Sequence, residues 1–372
     1  MKIHNFSAGP SILPKSVIKE ASKAVIELNG IGLSLLEISH RSNYFTEIIE
    51  EAKELTKELL NISDDYEVLF LQGGASLQFY MSALNFSSAN GKCGYIDTGT
   101  WSSKAITESK KLDGQTIIIA SSKDKNYNYI PKKIIEKKNL DYLHFTSNNT
   151  IYGTQYHSFK NILNHYPETA LICDMSSDIF SRKINTNNFA LIYAGAQKNL
   201  GPAGTTLVII KKSIFNPKTT HFNKIHLENL KHLPSYLKYT THIEKSSMFN
   251  TPPVFSIYTC MLTLRWLKNI GGISAIEERN RKKSDIIYHE IDQNPLFEGY
   301  TQKDDRSIMN VTFTLKIPEL KDKFEQLCIQ RGISGINGHR SVGGYRASIY
   351  NALDIESVNA LIETMQELEK IR

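Results

Sequence analysis

The sequence predicts an α/β fold: a mostly parallel, seven-stranded sheet flanked by helices, with a smaller α+β domain. Two observations carry that prediction. Seven short apolar runs fall between residues 67 and 210, and each is nearly continuous rather than alternating. Such runs suit strands covered on both faces, whereas a half-solvated antiparallel sheet would alternate. The last third instead spaces its apolar residues at helical intervals, with only short strand-like runs between them.

The elements follow in order. Residues 14–28 predict an amphipathic helix with Val17, Ile18, Ala21, Val25 and Leu28 on one stripe. Residues 44–60 predict a second, carrying Ile48, Ala52, Leu55 and Leu59. The strand runs are 67–71, 94–97, 116–120, 142–146, 170–174, 191–194 and 206–210. Helices are then expected over 253–269, 273–293, 318–331 and 355–371, with strands at 310–315 and 347–350. Between these parts, residues 211–245 hold seven lysines and four histidines, which reads as a solvated linker.

Composition narrows the class. With 372 residues the chain exceeds the ~250–300 at which single cores stop growing, so about two domains are expected. A 41% apolar and 22% charged content excludes disordered, collagenous and disulfide-scaffold classes. The net charge of +6 permits an anionic partner without demanding one. The N-terminal residues lack the apolar core of a signal peptide, and no stretch approaches the ~18 apolar residues of a membrane span. Cys93, Cys173, Cys260 and Cys328 form no C-x-x-C pair, which predicts buried free thiols in a reducing cytoplasm rather than disulfides or a metal site.

Three local signals carry chemistry. In Tyr193-Ala-Gly-Ala-Gln-Lys198-Asn-Leu-Gly-Pro-Ala-Gly204, a lysine sits among small residues between two strand runs. An amine so placed can form a Schiff base with a carbonyl if its pKa is lowered; a surface lysine in a turn is the competing reading. The run Ala170-Leu-Ile-Cys-Asp174 ends in an acid 24 residues before Lys198, with one strand run between. Both then fall at strand ends of one sheet, where α/β ligands bind. A carboxylate and a lysine so arranged match pyridoxal 5'-phosphate (PLP): the acid keeps the ring nitrogen protonated and the amine carries the aldehyde. Against this, Asp174 could be a helix cap or an ion-pair partner. The third signal, Phe70-Leu-Gln-Gly73-Gly74-Ala75-Ser76, follows a strand and opens a helix, offering free N–H groups to a phosphate. Trp101 begins the next helix and could stack on a flat ring or simply belong to the core.

The segments Asn5–Pro10, Glu37–Ser42, Phe70–Phe79, Asp174–Ser181, Tyr193–Gly204, Met248–Pro253 and Gly338–Arg346 together resemble the phosphoserine aminotransferase family, among the class V, fold type I PLP enzymes. The resemblance implies a large PLP-binding α/β domain over residues 12–255. Residues 1–11 and 256–372 would form the small domain. It further implies Lys198 as the Schiff-base lysine and Asp174 as the ring-nitrogen partner. Trp101 would stack on the ring and Thr150 bond its hydroxyl region. Gly74, Ala75 and Gln197 would hold the cofactor phosphate. Asn250 and Thr251 would reach the cofactor of the neighbouring subunit, making a homodimer with shared active sites. His40, Arg41, His339, Arg340 and Arg346 would bind the substrate anions, with Arg41 and Arg346 both candidates for the common carboxylate. Planar guanidinium forks suit the two charged ends of L-glutamate and 3-phosphohydroxypyruvate. The implied reaction yields O-phospho-L-serine and 2-oxoglutarate, and the family also admits a pyridoxine-pathway substrate.

Rival readings are weaker. A cysteine desulfurase needs an exposed loop cysteine, and Cys328 sits in a helical pattern. A nucleic-acid binder would have to use the basic connector 211–245, which holds no recognised motif. No nucleic-acid or membrane partner is expected.

Overall fold

The computed structural model describes residues 1–112, 114–135, 139–215 and 230–371. The strands are β1 (His4–Asn5), β2 (Tyr66–Leu71), β3 (Lys92–Asp97), β4 (Gln115–Ser121), β5 (Tyr142–Thr146), β6 (Asn148–Asn149) and β7 (Thr154–Gln155). They continue as β8 (Ala170–Asp174), β9 (Leu191–Gly195), β10 (Thr206–Lys211), β11 (Phe297–Gly299), β12 (Asn310–Leu315), β13 (Ile333–Ser334) and β14 (Tyr345–Ser348). The described helices are α1 (Lys15–Ile26), α2 (Asn43–Leu60), α3 (Gly74–Phe86), α4 (Thr100–Ser109) and α5 (Lys160–His165). Then come α6 (Tyr239–Glu244), α7 (Val254–Asn269), α8 (Gly272–Gln293), α9 (Lys321–Gln330) and α10 (Ile355–Lys370).

All seven apolar runs enter one sheet of order β2-β10-β9-β8-β5-β3-β4. Only β10 runs against its neighbours; the other pairs are parallel. The continuous apolar pattern has a direct cause, visible in β2. Val68 and Phe70 point into a core shared with α1, α2 and α7, while Leu69 and Leu71 point into one shared with α3 and α4. A strand with both faces covered has no solvent side on which polar residues could alternate. The Ser42 side chain accepts from the Phe45 N–H and so starts α2.

A second sheet, β11-β12-β14, is antiparallel, and β1 pairs parallel with β13. The N-terminal strand thus joins the C-terminal third, where Phe6, Phe313, Phe324, Leu361 and Met365 share a core.

Three expectations need correction. The last strand covers Tyr345–Ser348 rather than 347–350. Beyond it the Ile349 N–H bonds the Met309 carbonyl at 2.8 Å, and Lys283 Nζ donates to the carbonyls of Ile349, Tyr350 and Leu353 at 2.7–3.0 Å. The first three residues of the expected helix 318–331 form a separate 3-10 turn, led by Pro318. The linker reading of 211–245 also fails where it can be checked, residues 216–229 lying outside the described ones. Tyr239 is fully buried against Phe86, and its hydroxyl donates to Gln78 Oε1 at 2.6 Å.

The four cysteines are buried free thiols, Cys328 among them in α9. No described helix is long and apolar enough to cross a membrane.

Candidate active site

The parallel strands deliver their carboxyl ends to one edge of the sheet. Asp174 ends β8 and lies in register with Thr146 of β5 and Tyr193 of β9. The turn after β9 carries Gln197 and Lys198, the turn after β2 carries Gly73 and Gly74, and α4 begins one turn beyond β3 with Trp101. Gly74, Ala75, Trp101, Asp174, Gln197 and Lys198 line one cavity. Ser76, Phe79, Thr146, Asn148, Ser176 and Ser177 complete the wall.

Lys198 is buried, and its Nζ donates to Thr150 Oγ1 at 2.7 Å. Burial pulls its pKa down to about 8; Asp174 opposes the shift and Arg346 adds to it. A substantial neutral fraction near neutral pH is what a nucleophilic amine needs. The turn itself is held from outside: the Ser11 hydroxyl donates to the Lys198 carbonyl, and the Ser11 N–H donates to that of Gln197 at 2.9 Å. Next to it, a Cβ built on Gly9 would stand 3.5 Å from Lys198 Cγ, so the Asn5–Pro10 segment packs against the lysine turn.

Asp174 is buried too, which pushes its carboxyl up. Two bonds oppose that, from Ser176 Oγ at 2.6 Å and Ser176 N–H at 2.9 Å. Both fall on Oδ1, so among the described residues Oδ2 is given no donor. Beside it, Asp178 pairs with Arg182 at 3.2 Å in a buried ion pair.

At the other end of the cavity, α3 presents a first turn of N–H groups without intrahelical acceptors. Gly73 has φ 92°, and a Cβ there would stand 2.5 Å from Leu77 Cδ2, so only glycine fits the turn. A Cβ built on Gly74 meets no atom within 4 Å, which leaves the space before the helix open.

These features fit PLP. The open α3 terminus suits its phosphate. Asp174 Oδ2 suits a protonated ring nitrogen, whose charge would hold the buried carboxylate ionised. Lys198 suits the aldehyde, and the Trp101 ring, 5.7 Å from Lys198 Nζ, provides a flat wall.

Arg346 sits on β14, half-buried, with Nη1 3.5 Å from the Thr150 carbonyl and its buried Nε without a partner. It is therefore close to Lys198. His339 and Arg340 are exposed in the turn before β14. Thr150, Arg346, His339 and Arg340 stand beside the lining rather than in it, and four further expected residues lie elsewhere. His40 and Arg41 lie in the turn before α2, and Asn250 and Thr251 are exposed beside Gln72, which donates to the Thr251 carbonyl at 2.9 Å. A roomier hollow of about 530 Å³ contains none of the expected residues, and its Glu58 and Lys268 already pair at 2.7 Å.

Sequence reasoning did not single out Ser11 or Ser176. Ser176 stands two residues after Asp174, close enough to bond it; Ser11 leaves no local signal, because its contact spans 187 residues.

The aminotransferase class-V family model matches residues 3–361. A phosphoserine aminotransferase of Flavobacterium johnsoniae is 52% identical over 372 residues, covering 99% of each chain. The solved phosphoserine aminotransferase from Bacillus circulans subsp. alkalophilus is 41% identical, with a TM-score of 0.92 over 100% of this chain and 99% of that one. The PLP-bound phosphoserine aminotransferase from Trichomonas vaginalis is 32% identical, with a TM-score of 0.88 over 98% of this chain and 100% of that one. The chain belongs to the class-V aminotransferase family, within its PLP-dependent phosphoserine aminotransferases.

Proposed function

We propose that this chain moves the amino group of L-glutamate to 3-phosphohydroxypyruvate, giving O-phospho-L-serine and 2-oxoglutarate. The observation that carries the reading is the buried Lys198 amine facing the buried Asp174 carboxylate beneath basic residues. PLP, when bound, supplies an electron sink that makes the substrate Cα proton removable.

The chain's own groups do the rest. Lys198 Nζ, its pKa brought to about 8, takes and returns the Cα proton. Asp174 Oδ2 holds the proton on the ring nitrogen, and the two Ser176 bonds on Oδ1 fix its orientation. Thr150 Oγ1, 2.7 Å from Lys198 Nζ, keeps the amine aimed into the cavity. Gly74, Ala75 and Gln197 hold the phosphate, and Trp101 covers the ring and excludes water. Arg346 takes the substrate carboxylate, and its unpartnered Nε supports that role. His339 and Arg340 take the distal anion.

Asn250 and Thr251 act on the partner subunit's site in a homodimer, and His40 and Arg41 serve the substrate there. Exposed Leu33, Leu36 and Tyr44 flank His40 and Arg41, and exposed Phe249 adjoins Asn250, which supports an interface over this surface. We place residues 12–255 in the cofactor domain and the remainder in the small domain. We place the enzyme in the cytoplasm, in keeping with its buried free thiols. Formation of 4-phosphohydroxy-L-threonine, which adds one carbon between the same anionic ends, extends the proposal to pyridoxine biosynthesis.

The test is product analysis. Glutamate plus 3-phosphohydroxypyruvate should yield equal amounts of O-phospho-L-serine and 2-oxoglutarate, and Lys198→Ala should yield neither. Wild-type protein that makes no phosphoserine refutes the reading. For the dimer, coexpressed Lys198→Ala and Asn250→Ala/Thr251→Ala chains should regain activity, since one site per hybrid is intact. If Asn250 and Thr251 served their own chain, no intact site would form.

A further inference from the structure

We infer that Lys104 is a specificity-determining residue that binds the phosphate end of the keto-acid substrate. The inference rests on the reading of the site as one for a phosphorylated substrate.

Lys104 lies on α4, one turn after Trp101, with its Nζ 4.8 Å from the centre of the Trp101 ring. Trp101 walls the Lys198 cavity and packs against the Tyr127–Ile151–Tyr152 cluster. Val342, from the turn that carries His339 and Arg340, packs against the same cluster. That shared packing brings the exposed Lys104 amine and the basic turn to one rim. The electrostatics agree: burial, Arg346, Arg340 and Lys104, in that order, lower the proton affinity of His339.

This amine has no acid to answer. Among the described residues Lys104, Arg340 and Arg346 form no salt bridge, and Glu108, one turn further along α4, is held by Lys111 at 2.7 Å. A rim of cations without counter-charges draws anions to it. The charges also match. A phosphate monoester carries about −1.5 to −2 at neutral pH, and a carboxylate carries −1. With His339 held toward its neutral form, Arg340, Arg346 and the partner's Arg41 more than cover the two carboxylates of glutamate, whereas the phosphorylated keto acid brings up to about one further negative charge. Lys104 adds its charge on the side of the basic turn, where the doubly charged phosphate gains more from it than a carboxylate does.

The experiment compares holoenzymes of wild type, Lys104→Met and Lys104→Arg, with the cofactor bound so that the α3 terminus is filled. Calorimetric titration with inorganic phosphate and with glutarate is run beside steady-state kinetics. Loss of one charge-assisted contact should weaken phosphate binding about tenfold in Lys104→Met and raise KM for 3-phosphohydroxypyruvate by a similar factor. Glutarate binding and KM for glutamate should stay within about twofold, and Lys104→Arg should recover phosphate binding. Equal losses for both ligands, unchanged phosphate affinity, or no saturable phosphate binding by the wild type each overturn the inference. If phosphate binding depends on Lys104 but no phosphoserine forms, the inference stands and the proposed reaction falls. If phosphoserine forms and Lys104→Met changes nothing, the reverse holds.

Discussion

Ser176 is the support on which Asp174 depends, and its removal has a calculable cost. Ser176→Ala deletes the 2.6 Å hydroxyl bond to Asp174 Oδ1 and leaves the backbone N–H bond at 2.9 Å. It also frees the Gly195 N–H, which now donates to Ser176 Oγ at 3.1 Å. A hydrogen bond to a charged group is worth about 1.5–3 kcal/mol. Taken from the charged form of a carboxyl that burial already pushes up, the loss favours the neutral acid. A neutral Asp174 cannot hold the ring-nitrogen proton by charge, so removal of the Cα proton should slow by about 10–150-fold. Stopped-flow loss of the cofactor's visible absorbance on mixing with glutamate reads that step. The limiting rate should fall while the apparent glutamate affinity stays within about threefold, since Ser176 touches none of the basic residues at the rim. Ser176→Thr, which keeps the hydroxyl, should recover most of the rate. A limiting rate within about twofold of wild type in Ser176→Ala would refute the reasoning.

Other predictions follow from the same geometry. The Lys198 amine has its pKa lowered to about 8, so about a tenth is neutral at pH 7. Reconstitution of cofactor-free protein with PLP should therefore speed up about tenfold per pH unit below that value and level off above it, and a flat profile from pH 6 to 9 contradicts this. Arg41→Ala should weaken both half-reactions, because the partner subunit's site that it serves binds both substrates; loss of only one sinks that assignment. Lys283→Met strips three carbonyls of their shared donor and should cost about 2–4 kcal/mol, seen as a lower Tm. An unchanged Tm would show that those bonds contribute nothing net.

Much of this was legible in the chain because burial on two faces leaves a plain mark. The runs at 142–146 and 170–174 coincide with β5 and β8, since every residue in them is buried. The strand placed at 347–350 was misread because Ile349 and Tyr350 are buried like sheet residues; the donor that takes their carbonyls, Lys283, lies 66 residues away from Ile349. The connector misled for a related reason. Its lysines dominate any window average, while a few buried residues, Tyr239 foremost, anchor it to α3. In the site, Lys198 and Asp174 were visible because strand ends and small residues mark them locally. Ser11 and Lys104 were not, since each gains meaning only from what the fold sets beside it.

The central claim is that Lys198 and Asp174 serve a cofactor that accepts an amino group from one anionic substrate and passes it to another. The absorption spectrum of the purified holoenzyme tests this most directly. Its visible band should bleach on addition of L-glutamate alone and return on addition of 3-phosphohydroxypyruvate, and Lys198→Ala should do neither. A band that survives glutamate, or one that bleaches and is not restored by the phosphorylated keto acid, would contradict the account.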